Sequence, residues 1–150
     1  MIIRSYQDKD DEYILNLSSR FYETPSMAYR DLDTMRESQN ALAEQSILKN
    51  KANIFIVEQD GEFLGYLEMT KQNDYFTKKP VGYIAAIAVT TSSEGKGVGK
   101  MLMRQAELWC KTNKCTELVL DVFRSNEKAI AFYKHLGFEE EIVKMVKVLK

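Results

Sequence analysis

The sequence predicts a single α/β domain of the α+β kind, in which a mixed central sheet carries helices on both faces. Its 150 residues suit one hydrophobic core. Along the chain, segments whose apolar residues alternate as in strands are interspersed with segments whose apolar residues recur at helical spacing. The run GYIAAIAV at 82–89 contains no charge, which is typical of a strand covered on both faces. We therefore expect one domain over residues 1–150.

The first half of the chain is expected to supply one strand, two helices and a hairpin. Ile2–Ser5 is a short strand candidate, and Asp8–Arg20 carries apolar side chains at helical spacing. A second helical stretch is expected from about Ser26 to Lys49. The segments IFIVE and FLGYLEMT then flank a turn at 59–62, which predicts a hairpin of two strands. The run at 82–89 is the fourth strand.

The second half is expected to alternate helices with strands. A helix with a strong apolar stripe follows a glycine-rich turn and ends near Asn113. Glu117–Phe123 is predicted to be a fifth strand. Asn126 is a plausible N-cap of the next helix, and Gly137 is expected at its C-terminal cap. The tail, 138–150, is predicted to close the domain as a strand.

The charge balance and composition exclude several classes of function. Lys and Arg number 21 against 22 Asp and Glu, so no global electrostatic case exists for binding nucleic acid or an anionic membrane. Two cysteines and one histidine cannot assemble a four-ligand zinc site, and we expect no metal. No window reaches the roughly eighteen apolar residues that a membrane span needs, and no targeting segment is evident. We expect a cytoplasmic protein.

Three alternating glycines stand at the start of the helix that ends near Asn113. They are Gly95, Gly97 and Gly99. Each costs helix stability, but together they leave a bare backbone whose N–H groups point out of the positive end of the helix. Lys96, Lys100 and Arg104 follow at spacings of four, where the helix dipole disfavours cations unless an anion lies between them. The pattern indicates a phosphate site.

Two common phosphate loops do not match this segment. A P-loop needs four residues between its glycines and a hydroxyl after the lysine, whereas three residues separate Gly95 from Gly99 and Met101 follows Lys100. A dinucleotide fingerprint needs a glycine three residues after Gly97, soon after the first strand. The spacing is wrong for both.

A third kind of loop matches. The run IAAIAVTTSSEGKGVGKMLM, followed by LVLDVFRSNEKAIAFYKHLGF, resembles the GNAT superfamily of acetyl-CoA-dependent N-acetyltransferases, whose pyrophosphate loop is [QR]-x-x-G-x-[GA]. The resemblance covers Tyr83 to Phe138, a little over a third of the chain. It implies a sheet splayed between strands four and five, acetyl-CoA as cosubstrate, and an amine of a small molecule or peptide as acceptor. It also favours a homodimer.

The resemblance assigns cofactor roles residue by residue. It places the loop from Glu94 to Lys100 around the pyrophosphate, lets strand four offer main-chain groups to the pantetheine arm, and puts Tyr133 beside the thioester sulfur. Glu94 departs from the usual Gln or Arg and removes a cationic or amide contact, while the backbone donors remain. The implied cofactor residues are Ile87, Ala88, Val89, Glu94, Gly95, Lys96, Gly97, Val98, Gly99, Lys100, Asn126 and Tyr133.

Acetyl transfer to an amine needs a proton acceptor and a proton donor. Tyr133 suits the donor, because a phenol with a pKa of about 10 is protonated at neutral pH; its other interpretation is a core aromatic. Asp121 alternates with apolar residues on the fifth strand, where loss of hydration would favour proton uptake, and is one candidate base. Glu68, on the third strand, is the other. A structural role for either carboxylate, with water removing the proton or the amine arriving neutral, stays open.

The sequence therefore predicts an N-acetyltransferase that uses acetyl-CoA. A non-catalytic acyl-CoA-binding module is the alternative, supported by Glu94 and by the lack of a certain base, and a dinucleotide-binding oxidoreductase is a third possibility. The segment from Asp10 to Glu44 contains eight acidic residues and three arginines. Either these acids are the solvated faces of helices, or their local excess attracts a cationic amine, which we then expect as the acceptor.

Overall fold

Five strands form one mixed sheet in the order of the chain. The computed structural model describes residues 1–23 and 29–149, and the side chains of residues 22 and 23 are not included in that description. The strands are β1 (Ile2–Ser5), β2 (Ile54–Gln59), β3 (Glu62–Asn73), β4 (Pro80–Val89) and β5 (Leu118–Val119). Neighbours from β1 to β4 are antiparallel, whereas β4 and β5 are parallel. The predicted mixed α/β sheet is confirmed.

Helices cover both faces of this sheet, as predicted. They are α1 (Asp11–Ser18), α2 (Arg20–Glu23), α3 (Leu32–Lys49), α4 (Val98–Thr112) and α5 (Glu127–His135). One core joins α4 to β2, β3 and β4, with side chains of α5 packed against it. A second core on the opposite face joins α1 to β2 and β3, with Ile47 of α3 at its side. Within the described part of the chain, no helix is long and apolar enough to cross a membrane.

The N-terminal helices differ in detail from the prediction. The stretch Asp8–Arg20 contains a 3₁₀ turn at Asp8–Asp10, followed by α1. The helix is interrupted at Ser19, and α2 begins at Arg20. Ser18 and Ser19 donate hydroxyl hydrogen bonds to backbone carbonyls three residues earlier, at 2.8 and 2.7 Å. Such bonds compete with the regular helical pattern and bend or end a helix.

The helix predicted over residues 26–49 begins at Leu32. Asp31 is its N-cap, because its carboxylate accepts a hydrogen bond from the Thr34 amide at 3.0 Å. Residues 24–28, where the predicted start falls, lie outside the described part of the chain. The predicted end at Lys49 is confirmed.

Two strand predictions at the C-terminal end are wrong. The expected fifth strand, Glu117–Phe123, is reduced to Leu118–Val119, and the predicted closing strand at 138–150 has no strand pairing over 138–149. A β-strand exists only beside a partner that accepts its hydrogen bonds. Residues 120–123 and the tail have the composition of strands, but no described residue pairs with either of them as a neighbouring strand.

Candidate active site

The sheet opens between β4 and β5. β5 pairs with β4 only at Gly82 and Tyr83, although β4 continues to Val89. On its other edge, β4 stays paired with β3 as far as Val89, which lies opposite Gly65. The predicted splay is thus confirmed, and in the described part of the chain no strand lies beside the edge of β4 from Ile84 to Val89. Ile87, Ala88 and Val89 lie on this free edge, where an extended ligand has room to pair with the backbone.

The glycine loop turns the chain from β4 into α4. Gly95 and Gly97 have φ angles of 76° and 86°, in the left-handed region that residues with a Cβ rarely adopt. Gly97 is the N-cap, and the first helical hydrogen bond runs from the Met101 amide to the Gly97 carbonyl at 3.1 Å. Within the described residues, the amides from Gly97 to Lys100 have no acceptor. They form the donor end of a 15-residue helix, a favourable place for an anion.

Gly99 serves packing instead of backbone conformation. A Cβ at this position would lie 3.2 Å from the ring carbon Cζ of Phe132, on α5. A side chain at 99 would therefore require the Phe132 ring to shift by a few tenths of an ångström. The sequence argument gave all three glycines one role, and the structure separates this one from Gly95 and Gly97.

Glu94 holds two cations at the start of the loop. Its carboxylate lies 2.5 Å from Arg20 and 3.4 Å from Lys128. The hydrogen bond from Arg20 and the charges of both cations hold the pKa of Glu94 below its usual range. Arg20 also donates to the carbonyl of Val89, at the end of β4. The resemblance implied a lost cationic contact at Glu94, whereas the fold brings two cations to this position.

Arg20 is the residue that sequence reasoning missed. It lies 74 positions before Glu94, and no local pattern connects the two. The only available signal was an arginine at the end of a predicted helix, which is a common surface feature. The contact arises because α2 passes beside the end of β4.

Tyr133 lies on the α4 side of the sheet. It belongs to α5, which begins after its N-cap Asn126. The Asn126 side chain accepts a hydrogen bond from the Ala129 amide at 3.3 Å, as the sequence predicted. The Tyr133 ring packs against the rings of Phe132 and Phe138, with centroid distances of 5.5 and 5.7 Å. Desolvation raises its pKa, so the phenol keeps its proton at neutral pH. Among the described residues its hydroxyl has no hydrogen-bond partner.

Glu68 lies on the opposite face of the sheet. It stands on β3 opposite Ala86 of β4, one strand from the opening, and only 5% of its surface is exposed. Among the described residues, its Oε2 atom has no hydrogen-bond partner. Desolvation raises the pKa of Glu68, and the polar side chains of Ser46 and Asn50 partly oppose this shift. A buried carboxylate with an unsatisfied oxygen is a strong proton acceptor.

Asp121 does not have the surroundings that its sequence pattern predicts. Because β5 ends at Val119, Asp121 lies beyond the strand and is exposed instead of buried on an apolar face. It accepts a hydrogen bond from the Tyr83 hydroxyl at 2.7 Å. Burial, together with this bond, raises the pKa of Tyr83 to about 12. Asp121 is therefore a solvated carboxylate at the β4–β5 end of the opening.

A cavity of about 510 Å³ lies between the N-terminal half of α3 and the chain after β5. The Arg30 guanidinium lies over the rings of Tyr29 and Phe123, at 4.7 and 5.5 Å from their centroids. The cavity is lined by Tyr29, Arg30, Asp31, Thr34, Met35, Ser38, Gln39 and Phe123. Its wall thus combines aromatic surface with charges of both signs.

The acidic excess between residues 10 and 44 is partly neutralised within the fold. Asp10 is buried and paired with Arg4 at 2.8 Å, and Asp33 pairs with Arg36. The Asp31 carboxylate accepts hydrogen bonds from Thr34, which lower its pKa. Fewer of these carboxylates therefore face a ligand than the sequence count suggests. Among the described residues, no three His, Cys, Asp or Glu side chains gather where they could hold a metal ion.

The chain belongs to the acetyltransferase (GNAT) family, whose model matches residues 12–138. It is 31% identical over 109 residues to aminoglycoside N(6')-acetyltransferase type 1 of Acinetobacter haemolyticus, covering 71% of this chain and 72% of that protein. A putative acetyl transferase from Pyrococcus furiosus shares the fold, with a TM-score of 0.80, 23% identity and 99% coverage of each chain. AAC(6')-Iy, solved with the bisubstrate analog CoA-S-monomethyl-acetylneamine, has a TM-score of 0.71 and 22% identity, with 99% of this chain and 98% of that chain covered.

Replacement of Gly97 by alanine tests the role of the loop. Gly97→Ala places a Cβ on a left-handed residue and should reorient the free amides. We expect the dissociation constant for CoA to rise at least tenfold, about 1.4 kcal/mol. Gly61→Ala is a matched control, because Gly61 also has a positive φ, 80°, and open space around it, but lies in the β2–β3 turn. Calorimetric titration with CoA is the measurement, and equal affinities in the two variants would reject the phosphate site.

Proposed function

We propose that this protein transfers the acetyl group of acetyl-CoA to a primary amine of a small molecule or peptide. One observation carries the proposal: the free edge of β4 is followed, after one 3₁₀ turn at Thr91–Ser93, by a left-handed glycine turn and a helix end with unpaired amides. This order suits CoA, whose pantetheine arm carries amide groups and whose pyrophosphate is anionic. The arm would pair with the backbone of Ile87 and with the amide of Val89, whose carbonyl already accepts a hydrogen bond from Arg20. The pyrophosphate would meet the amides from Gly97 to Lys100.

The opening between β4 and β5 gives a thioester two accessible sides. Tyr133 approaches it from the α4 side and Glu68 from the α1 and α3 side. A neutral amine nitrogen attacks the thioester carbonyl, the new C–N bond forms, and the C–S bond breaks. The Tyr133 hydroxyl gives its proton to the leaving thiolate and regains one from solvent. The surplus proton of the amine goes to a base.

Glu68 is the base that we favour. Its raised pKa and its unpaired Oε2 suit proton uptake, whereas Asp121 is exposed and already bonded to Tyr83. Asp121 is then better placed to bind the acceptor's ammonium groups than to remove a proton. Transfer through a water molecule remains compatible with either carboxylate, because a base can act through one water.

We propose a cationic acceptor, such as an aminoglycoside or a polyamine. The similarity to the aminoglycoside N(6')-acetyltransferase of Acinetobacter haemolyticus supports this class. So do the Glu68 and Asp121 carboxylates on the acceptor side of the opening. The cavity lined by Tyr29 and Phe123 offers aromatic surface on which the body of the acceptor can stack.

An amine screen with detection of free CoA thiol tests the function. We expect thiol release with aminoglycosides or polyamines, and we expect the rate to fall as salt screens the carboxylates. Amines without additional positive charges serve as the control. CoA binding without thiol release from any amine would instead favour the non-catalytic acyl-CoA-binding module. Equal rates for charged and uncharged amines across the salt series would reject the cationic acceptor.

Removal of the Tyr133 hydroxyl tests the proton donor. Tyr133→Phe keeps the ring and its packing, so thermal stability and CoA affinity should stay close to those of the unchanged protein. Turnover should fall about 100-fold or more, the usual scale for a positioned acid. Tyr13→Phe is the control, because it removes a tyrosine hydroxyl from α1, where the ring stacks on Phe63 outside the opening, and it should leave turnover unchanged. Near-normal turnover in Tyr133→Phe would reduce the role of Tyr133 to packing.

The dependence of turnover on pH separates the candidate bases. A base must be unprotonated, so the rate should rise with pH through the raised pKa of Glu68. Glu68→Gln should lower the rate and abolish this acid limb, whereas Asp121→Asn should keep it. Loss of the limb only in Asp121→Asn would transfer the role to Asp121. A limb that survives in both variants and follows the pKa of the acceptor would show that the amine arrives neutral.

A further inference from the structure

Arg20 connects α2 to both ends of the short segment that joins β4 to the glycine loop. One nitrogen of its guanidinium donates to the carbonyl of Val89, the last residue of β4, and another lies 2.5 Å from the Glu94 carboxylate. The segment between these two contacts contains the 3₁₀ turn at Thr91–Ser93. The forked guanidinium therefore spans this turn and contacts the chain on either side of it.

The fold of the N-terminal helices fixes the position of Arg20. It is the first residue of α2, and the ring of the next residue, Phe21, packs against the core that contains Ile14 and Leu17 of α1. The Arg20 side chain is 33% exposed, so it lies at the surface beside the loop. Its contact with Glu94 thus joins the start of the loop to helices that pack on the opposite face of the sheet from α4.

Glu94 is the part of this arrangement that opposes a bound anion. It lies three residues before Gly97, the first of the amides that have no acceptor in the described part of the chain. An unpaired carboxylate there would repel a pyrophosphate. Lys128 is a weak counterion, because its ammonium is 3.4 Å away and its side chain is 88% exposed. The closer contact from Arg20 is the largest cause of the lowered pKa of Glu94.

We propose that Arg20 and Glu94 together replace the single Gln or Arg that the GNAT loop usually carries at position 94, with Arg20 as a positioning residue for CoA. This role of Arg20 rests on the proposed function, because it requires CoA binding. A neutral Gln or a positive Arg at 94 does not oppose the pyrophosphate. An acid at 94 is compatible with that anion only while Arg20 neutralises it, and the same acid holds Arg20 at the loop.

A double-mutant cycle with CoA as the ligand tests this dependence. Arg20→Gln leaves the carboxylate with only the exposed Lys128, and we expect the dissociation constant for CoA to rise at least tenfold, about 1.4 kcal/mol. Glu94→Gln removes the acid and should keep that constant within threefold of the unchanged chain. The double variant should also bind within threefold, because without the acid Arg20 has no charge to neutralise. Titration calorimetry measures all four dissociation constants.

Arg36→Gln is the matched control for the loss of one cation. Arg36 forms an exposed ion pair with Asp33 on α3, and its replacement should leave the affinity for CoA unchanged. Pantetheine, which lacks the pyrophosphate, is the control ligand, and its dissociation constant should change less than threefold in Arg20→Gln. Thermal unfolding of each variant checks that the fold is intact.

Glu94→Asp tests the same contact without altering Arg20. It keeps the negative charge but shortens the side chain by one methylene, which draws the carboxylate away from the guanidinium. We therefore expect Glu94→Asp to bind CoA more weakly than Glu94→Gln does, although Asp preserves the charge of the unchanged chain.

Four results would overturn the proposal while leaving the proposed function intact. The first is an unchanged affinity for CoA in Arg20→Gln. The second is a double variant as weak as Arg20→Gln, because the effect of Arg20 would then be independent of the acid. The third is an equal loss for CoA and pantetheine, and the fourth is tighter CoA binding by Glu94→Asp than by Glu94→Gln. No CoA binding by the unchanged chain would overturn both the role of Arg20 and the proposed function.

Discussion

β4 is paired along its length with β3 on one edge but only over two residues with β5 on the other, and the site depends on this asymmetry. Its pairing with β3 fixes the strand rigidly, while its pairing with β5 ends after Tyr83. Backbone groups inside a sheet cannot stay unpaired at low cost, so the free edge favours a ligand that presents amide donors and acceptors of its own. The same parting of the strands leaves a passage from one face of the sheet to the other. In the proposed reaction, this opening would let Tyr133 and Glu68, which lie on opposite faces of the sheet, act on the same thioester.

The electrostatics of the loop follow from contacts between distant elements. Glu94 would by itself oppose an anion at the head of α4. Arg20 and Lys128 outnumber it, so the cluster of three charges is positive as a whole. The carboxylate then acts as a support that holds two flexible cations beside the free amides. A family position that usually carries a Gln or Arg has in this chain been replaced by an acid together with its cationic partners.

The features that the sequence predicted correctly have local causes. The cap at Asn126, the end of α5 at Gly137 and the glycine turn before α4 each depend on a few neighbouring residues. The splay followed from a family resemblance that two linked motifs made specific. The incorrect predictions concern relations between distant segments. The alternation around Asp121 resembled a buried strand, but strand formation also requires a partner, and the pairing of Glu94 with Arg20 depends on how α2 packs. A sequence pattern shows what a segment can do, and the rest of the fold decides whether its partner is present.

Glu68 also couples the site to the stability of the whole protein. Because its pKa is higher in the folded chain than in the unfolded chain, folding takes up a proton in the pH range between the two values. Stability is therefore greater below that range and falls as the pH rises through it, when the buried carboxylate must carry its charge. A bound ammonium beside Glu68 would offset that cost. The acceptor would then act as the counterion of the Glu68 carboxylate. Its binding would raise the free energy of unfolding, because a cation would be bound by the folded chain and not by the unfolded chain.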